Sequence, residues 1–330
     1  MVKILMTSVR DDEEFAIKRY AQNNDIEIDI SREEFHPSTA PDLSQYDGLV
    51  IQQTASINGD ASFYKKLVHQ GLKQITTRTA GYDMVEVSLA KNAGLKVTNV
   101  PAYSPRSVAE MALMQIFRLL RRTLEFEQRL SRNDFLWQGL QSKEIHTVTV
   151  GIIGAGRIGG TLAKLLSALG TKVIAYDVNP NPALEPYLSY VTKQTLLTES
   201  DVISLHVDLN STTVDLINRE DFSKMKKDAL LVNASRGPVI NTDDLITALE
   251  TNQIAAAALD TVENESQVFN KDLSNSGIPD HRIQKLLMMP NVLITPHVAF
   301  FTNTAVENMV DISLDDVMTI ISGQKSEHEI

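Results

Sequence analysis

The sequence predicts an α/β protein built of two doubly wound parallel-sheet domains, one inserted into the other. Three observations carry this. Short apolar segments alternate with helical ones along the chain, the pattern of a parallel sheet with crossover helices. Residues 148–177 read as a strand, a glycine-rich turn, a helix and a second strand that ends in an acid. That turn starts only at residue 154, whereas a plain nucleotide-binding domain carries it after the first strand of the chain. The domain that holds it is therefore an insertion, and 330 residues, roughly twice a usual single domain, leave room for two cores.

The elements before the turn form a domain of their own. Residues 2–7 predict a strand, 11–24 a helix with an acidic first turn, 26–30 an alternating strand and 48–51 a short buried one. A helix over 61–70 and strands over 72–76 and 95–100 follow. Pro101 and Pro105 bracket a hinge, since each disfavours helix in the residue before it. Residues 107–120 are apolar nearly all round, so this helix is buried on more than one side, whether between domains, across a dimer interface or in an ordinary core. Beyond the turn, strands are expected over 201–207, 229–233, 254–259 and 292–295, a helix over 241–250 and a loop over 269–280. Residues 302–321 make a last helix with Val306, Val310, Leu314, Val317 and Ile321 on one face and Thr302 as its cap. It returns to the N-terminal domain, so the chain crosses between domains twice.

Composition narrows the function. Lys and Arg number 31 against 42 Asp and Glu, a net charge of −11, and no basic cluster suggests a nucleic-acid partner. An anionic small molecule would need a local positive site, because the overall field does not attract it. Cysteine is absent, which excludes disulfides and thiol nucleophiles and fits a reducing cytoplasm. The N-terminal apolar run is too short for a signal peptide, and no run reaches the roughly 18 apolar residues of a membrane span. The histidines show no metal-ligand spacing.

The glycine turn reads Gly154-Ala155-Gly156-Arg157-Ile158-Gly159. Gly154 turns the chain, Gly156 lets backbone N–H groups approach a pyrophosphate, and Gly159 lets helix and strand pack closely. The phosphates would sit at the helix N-terminus. Leu162, Leu165, Leu166 and Leu169 give that helix an apolar face, and Gly170 ends it. The following strand closes with Asp177, near the spacing of about 20 residues at which an acid bonds the adenine ribose hydroxyls. Alone, the glycine motif marks any tight turn; with the surrounding elements it predicts a dinucleotide. A carboxylate at 177 repels the 2′-phosphate of NADP, so NAD is the expected cofactor.

Three segments end predicted strands and carry ionisable groups. Arg236 follows 229–233 and matches a carboxylate by a two-pronged bond, its alternative being a surface loop arginine. Asp260, Glu263 and Glu265 follow 254–259, and His297 ends the last strand behind Pro296. A carboxylate beside a histidine favours the protonated ring and fixes its tautomer, which suits proton donation near neutrality. Thr79-Ala80-Gly81-Tyr82-Asp83 is either a backbone nest for a carboxylate or an ordinary turn. His206 ends a strand and reads as packed or hydrogen-bonded.

Together, residues 154–159, Asn233-Ala-Ser-Arg236-Gly, the acids 260–265 and Thr295-Pro-His297 resemble the D-isomer-specific 2-hydroxyacid dehydrogenases. Val268-Phe269-Asn270 and residues 296–306 look most like the bacterial fermentative D-lactate dehydrogenases. The resemblance implies a flavodoxin-like catalytic domain, residues 1–102 plus 298–330, around an inserted Rossmann NAD domain, 103–297, with a homodimer formed through the latter. It implies that His297 exchanges the proton as hydride passes between NADH and a 2-oxo acid, that Glu265 supports His297, and that Arg236 clamps the substrate carboxylate. Ala80, Gly81 and Tyr103 would join Arg236 and His297 in binding substrate. Gly154, Gly156, Arg157, Ile158, Gly159, Asp177, His206, Val207, Thr213, Ala234 and Asp260 would contact NAD.

Pyruvate reduction to D-lactate is the leading expectation. The chain departs from the family's pattern at Val262, where tyrosine is frequent, and at Asp208, where proline is. No tyrosine stands near the strand end at Ile51-Gln-Gln-Thr54, where similar lactate enzymes carry one, so a roomier pocket for 2-oxoisocaproate or phenylpyruvate is the alternative. A non-enzymatic NAD-sensing protein and a methyltransferase are weaker readings, because neither has a use for Arg236, Glu265 and His297 together.

Overall fold

The computed structural model describes residues 1–53 and 55–330, and divides into Met1–Ser104 with Phe301–Ile330 as one unit and Pro105–Phe300 as the other. Thr54, part of the expected pocket, lies outside the described residues. In the first unit β1 (Lys3–Met6), α1 (Glu14–Asn24), β2 (Glu27–Ile30), β3 (Gly48–Ile51), α2 (Ala61–His69), β4 (Gln74–Thr77), α3 (Val87–Ala93) and β5 (Lys96–Thr98) follow in turn. The strands lie parallel in the order β2-β1-β3-β4-β5, which reverses direction between β1 and β3. Alternation sorts their side chains to two faces. Leu5, Leu49 and Ile51 meet Tyr64 and Leu67 of α2, while Ile4, Met6 and Val50 meet Ile17 of α1 and Val310, Leu314 and Val317 of the C-terminal helix.

The second unit runs α4 (Pro105–Leu120), α5 (Thr123–Leu130), β6 (Thr149–Ile153), α6 (Arg157–Ala168), β7 (Lys172–Tyr176), β8 (Ser189–Tyr190), α7 (Lys193–Glu199), β9 (Val202–Leu205), α8 (Arg219–Lys224), β10 (Leu230–Asn233), α9 (Thr242–Glu250), β11 (Ala256–Leu259), α10 (His281–Met288) and β12 (Val292–Ile294). Its parallel sheet has the order β12-β11-β10-β9-β6-β7-β8. The order reverses between β6 and β9, the place where open α/β sheets bind ligands beyond the carboxyl ends of their strands. Val108, Ala112, Ile116 and Leu119 of α4 pack with Leu162 and Leu166 of α6 over Val150 and Ile152, so this helix belongs to the unit's own core. Met114 stays exposed on its other side. The chain ends in α11 (Asn303–Ile321), capped by Thr302, whose hydroxyl accepts Ala305 N at 3.2 Å.

The unit boundaries fall a few residues beyond the expected 102/103 and 297/298. Tyr103 stays with the first unit, where its carbonyl accepts Asn308 Nδ2 at 2.6 Å. Val298 and Ala299 stay with the second, where their N–H groups donate to the Asp260 carboxylate. The helices α3, α5, α7, α8 and α10 add to the expected elements.

Candidate functional site

In the second unit the turn after β6 is shaped to leave backbone bare. Gly154 adopts φ +91°, and a Cβ there would lie 2.6 Å from His206 O, so only glycine fits. A Cβ on Gly159 would lie 2.0 Å from Gly154 O, the close approach of helix to turn that the motif requires. Gly156 is the opposite case. It is exposed, with open space where a side chain would be, and it starts α6 without any side-chain cap. The first N–H groups of α6 and its positive dipole end are thus presented to an anion. Asp177, just past β7, accepts Ala155 N at 2.7 Å and Asn179 N at 2.8 Å, which holds its carboxylate against the turn. This donor set fits a dinucleotide: open backbone for phosphates and a fixed acid one strand away for a ribose.

Residues expected around the rest of a dinucleotide surround the same strand ends. His206 follows β9, its N–H donating to Ile153 O at 2.8 Å. Its Nε2 pairs with Ser204 Oγ at 2.8 Å and its Nδ1 is out of reach of solvent and without a partner among the described residues. Although the residue as a whole keeps partial exposure, burial of the ring pushes its pKa down to about 4, so it is neutral at pH 7. Thr213 Oγ1 donates to Asp208 O at 2.7 Å, closing the turn that follows Val207. Ala234 is buried behind β10.

The three acids after β11 separate by role. Asp260 is 1% exposed; its carboxylate accepts Thr295 Oγ1 at 2.5 Å, Val298 N at 3.1 Å and Ala299 N at 3.0 Å, and so ties down the turn on either side of His297. Glu263 turns to Arg282 Nη1 at 2.8 Å and Thr242 Oγ1 at 3.0 Å. Glu265 alone reaches His297, Oε1 to Nδ1 at 2.6 Å, with Oε2 accepting Val262 N at 3.1 Å. His297 has φ +54°, a conformation few non-glycine residues adopt, held by its N–H donating to Asp260 O at 2.9 Å. Its Nε2 has no partner among the described residues, and Phe300 packs edge-on to the ring at 6.3 Å.

Arg236 reaches this group through a glycine. A Cβ on Gly237 would lie 2.1 Å from Val262 C, so the turn after β10 presses directly on the acidic segment. Arg236 Nη1 donates to Ser235 O at 2.9 Å, and Asn233 Nδ2 donates to Arg236 O at 3.0 Å, fixing the turn while the residue stays half-buried.

The first unit carries the other expected residues. Asn99 Nδ2 donates to Ala80 O at 2.6 Å and Thr79 Oγ1 to Gly81 O at 2.6 Å, whereas the Ala80 and Gly81 N–H groups have no acceptor among the described residues. The loop leaves β4 through Arg78, which is fully buried and bonds Glu13 Oε1 at 3.0 Å and Thr7 O at 3.1 Å. Neither Arg78 nor Phe300 was marked by a local sequence signal. Among the described residues there is no metal-holding cluster, and no helix long and apolar enough to cross a membrane.

A family model described as "D-isomer specific 2-hydroxyacid dehydrogenase, NAD binding domain" matches residues 113–299. A D-2-hydroxyacid dehydrogenase (NAD(+)) of Clostridioides difficile is 42% identical over 97% of both chains. The structure of a D-lactate dehydrogenase from Sporolactobacillus sp. superposes with a TM-score of 0.88 at 50% identity, over 100% of this chain and 99% of that one. The structure of a D-2-hydroxyisocaproate dehydrogenase reaches a TM-score of 0.92 at 32% identity, over 100% and 99%.

Proposed function

The chain belongs to the D-isomer-specific 2-hydroxyacid dehydrogenases, and we propose that it reduces a 2-oxo acid, pyruvate first, to the D-2-hydroxy acid with NADH. The 2.6 Å pair of His297 and Glu265 carries this reading. Glu265 accepts the hydrogen bond from Nδ1 and orients the ring, which leaves Nε2 to give its proton to the ketone oxygen. Arg236 clamps the substrate carboxylate by its fork and polarises the carbonyl. In the first unit, Ala80 and Gly81, whose N–H groups have no acceptor among the described residues, and Tyr103 are the further substrate-binding residues. Bound NADH supplies the hydride for the carbonyl carbon. Gly154, Gly156, Arg157, Ile158 and Gly159 hold its pyrophosphate and Asp177 its adenine ribose, while His206, Val207, Thr213, Ala234 and Asp260 line its remaining length. On this reading residues 1–104 with 301–330 are the catalytic domain and 105–300 the NAD domain.

A pocket for bulkier acids is the second reading. It is favoured by the small and polar side chains Gln52, Gln53, Ala55 and Ser56 that follow β3, and by the likeness to a hydroxyisocaproate dehydrogenase. NADH oxidation with pyruvate, 2-oxoisocaproate, phenylpyruvate and glyoxylate in parallel tests both. Fast turnover of pyruvate supports the first, preference for the bulky acids the second, and no turnover of any defeats both. Equal use of NADPH would contradict the role of Asp177.

We also propose a homodimer through the NAD domain, in the cytoplasm. Phe135, Leu136 and Trp137 stand 75%, 63% and 80% exposed in the second unit, a contiguous apolar patch of the kind that a partner covers. Light scattering at the mass of a single chain would refute it.

A further inference from the structure

Residues 55–59 follow β3, one of the two strands at which the first sheet reverses its order, and have no regular hydrogen-bonded structure of their own. They are nevertheless fixed, and mainly by one side chain. Glu86 Oε1 accepts Ser56 Oγ at 2.5 Å and Asn58 N at 3.2 Å; Oε2 accepts Tyr64 OH at 2.5 Å and Gly59 N at 3.2 Å. Ile57, fully buried, adds a backbone bond to Met84 O at 2.9 Å.

Glu86 is placed for this and not for its own helix. It precedes α3 in the N-cap position, yet its side chain caps nothing there. Burial opposes its ionisation, but the donors from Ser56, Tyr64 and Gly59 outweigh burial and hold the carboxyl below its usual range. It therefore accepts these bonds as an anion at neutral pH, where such bonds are strongest.

Glu86 also joins two neighbouring strand ends. Ile51 pairs with Thr77, so the loops leaving β3 and β4 start side by side. The β4 loop carries Ala80 and Gly81 and ends at Glu86, whose carboxylate turns back onto the β3 loop. A 2-oxo acid holds its carboxylate and its side chain on opposite sides of the carbonyl carbon. With the carboxylate on the Ala80–Gly81 nest, the side chain extends to an adjoining loop.

We propose that Glu86 is a positioning residue for substrate selectivity: by fixing residues 55–59 relative to the carboxylate nest, it sets how large a 2-oxo acid side chain the enzyme accepts. This rests on the dehydrogenase reading above.

The test compares kcat/KM for phenylpyruvate and for pyruvate in wild type, Glu86→Gln, Ser56→Ala and Tyr64→Phe, with KM for NADH and thermal midpoint measured beside them. Releasing the loop should raise the phenylpyruvate-to-pyruvate ratio about tenfold in Glu86→Gln, the scale of one hydrogen bond to a charged group, and less in Ser56→Ala. KM for NADH should stay within about twofold, and Glu86→Asp should recover part of the wild-type ratio. A lowered thermal midpoint with an unchanged ratio in every variant that folds would overturn the proposal, since a merely structural glutamate cannot move a ratio between two substrates. If Glu86→Gln does not fold, an unchanged ratio in both Ser56→Ala and Tyr64→Phe overturns it equally. A wild-type protein that turns over neither acid defeats the dehydrogenase reading itself, which separates that failure from this one.

Discussion

His297 Nδ1 stands 2.6 Å from Glu265 Oε1 while the backbone of His297 is held at φ +54° by the Asp260 carbonyl. The two restraints act on different parts of the residue. The left-handed backbone aims the ring, and the carboxylate fixes its tautomer, which on the proposed reading leaves Nε2 to exchange the proton.

Replacing His297 by Asn, a residue that tolerates φ > 0, keeps the backbone turn and removes the acid. Turnover should fall by about 10²–10⁴, the usual contribution of a general acid, with NADH affinity nearly unchanged. Glu265→Gln should lower kcat less, since an amide still accepts the Nδ1 proton but carries no charge. Stopped-flow single turnovers and NADH fluorescence titration separate chemistry from binding. A His297→Asn enzyme of wild-type rate would remove the histidine from the mechanism.

Arg236→Lys keeps the charge and loses the fork. The expectation is a KM for the 2-oxo acid raised about tenfold or more together with a lower kcat, because the fork binds the carboxylate in the ground state and polarises the carbonyl further in the transition state. Steady-state kinetics at saturating NADH would show it. A lysine enzyme with unaltered constants would mean that Arg236 does not touch the substrate.

The buried ring of His206 makes the NAD-free protein sensitive to acid. In the folded chain it stays neutral down to about pH 4, whereas the unfolded chain takes up a proton near pH 6.5. Between those values unfolding binds one more proton, so the folding constant falls by up to about tenfold per pH unit as pH drops, a loss that is absent well above pH 6.5 and complete below about pH 4. Urea unfolding from pH 7.5 to 4 should give a shallower slope for His206→Asn than for wild type. Parallel slopes would assign the acid sensitivity to other groups.

What the sequence discloses and what it hides follow from the range of the interactions. The turn at 154–159 and Asp177 are legible because strand, turn, helix and strand are contiguous, and each glycine answers to a local clash or φ. The topology follows from the same alternation. Two of the helices absent from the expected elements have weak faces: α5 buries no residue, and α8 only Asp221 and Phe222, so neither shows an apolar stripe to read. Among Asp260, Glu263 and Glu265, which acid meets His297 depends on Gly237 pressing on Val262 and on Arg282 drawing Glu263 aside, contacts between distant segments. The left-handed φ of His297 is illegible for a similar reason. The His297 N–H is shared between Thr295 O, two positions back, and Asp260 O, a neighbour in space 37 positions earlier in the chain. Glu86 carries no local signal; only the fold turns it onto Ser56 and Tyr64.

The most direct measurement is the stoichiometry and chirality of the product when the purified chain, NADH and pyruvate react to completion. The expected result is one D-lactate for each NADH oxidised, with L-lactate absent. L-lactate or a racemate, or no NADH oxidation with any 2-oxo acid although NADH binds, would contradict the assignment.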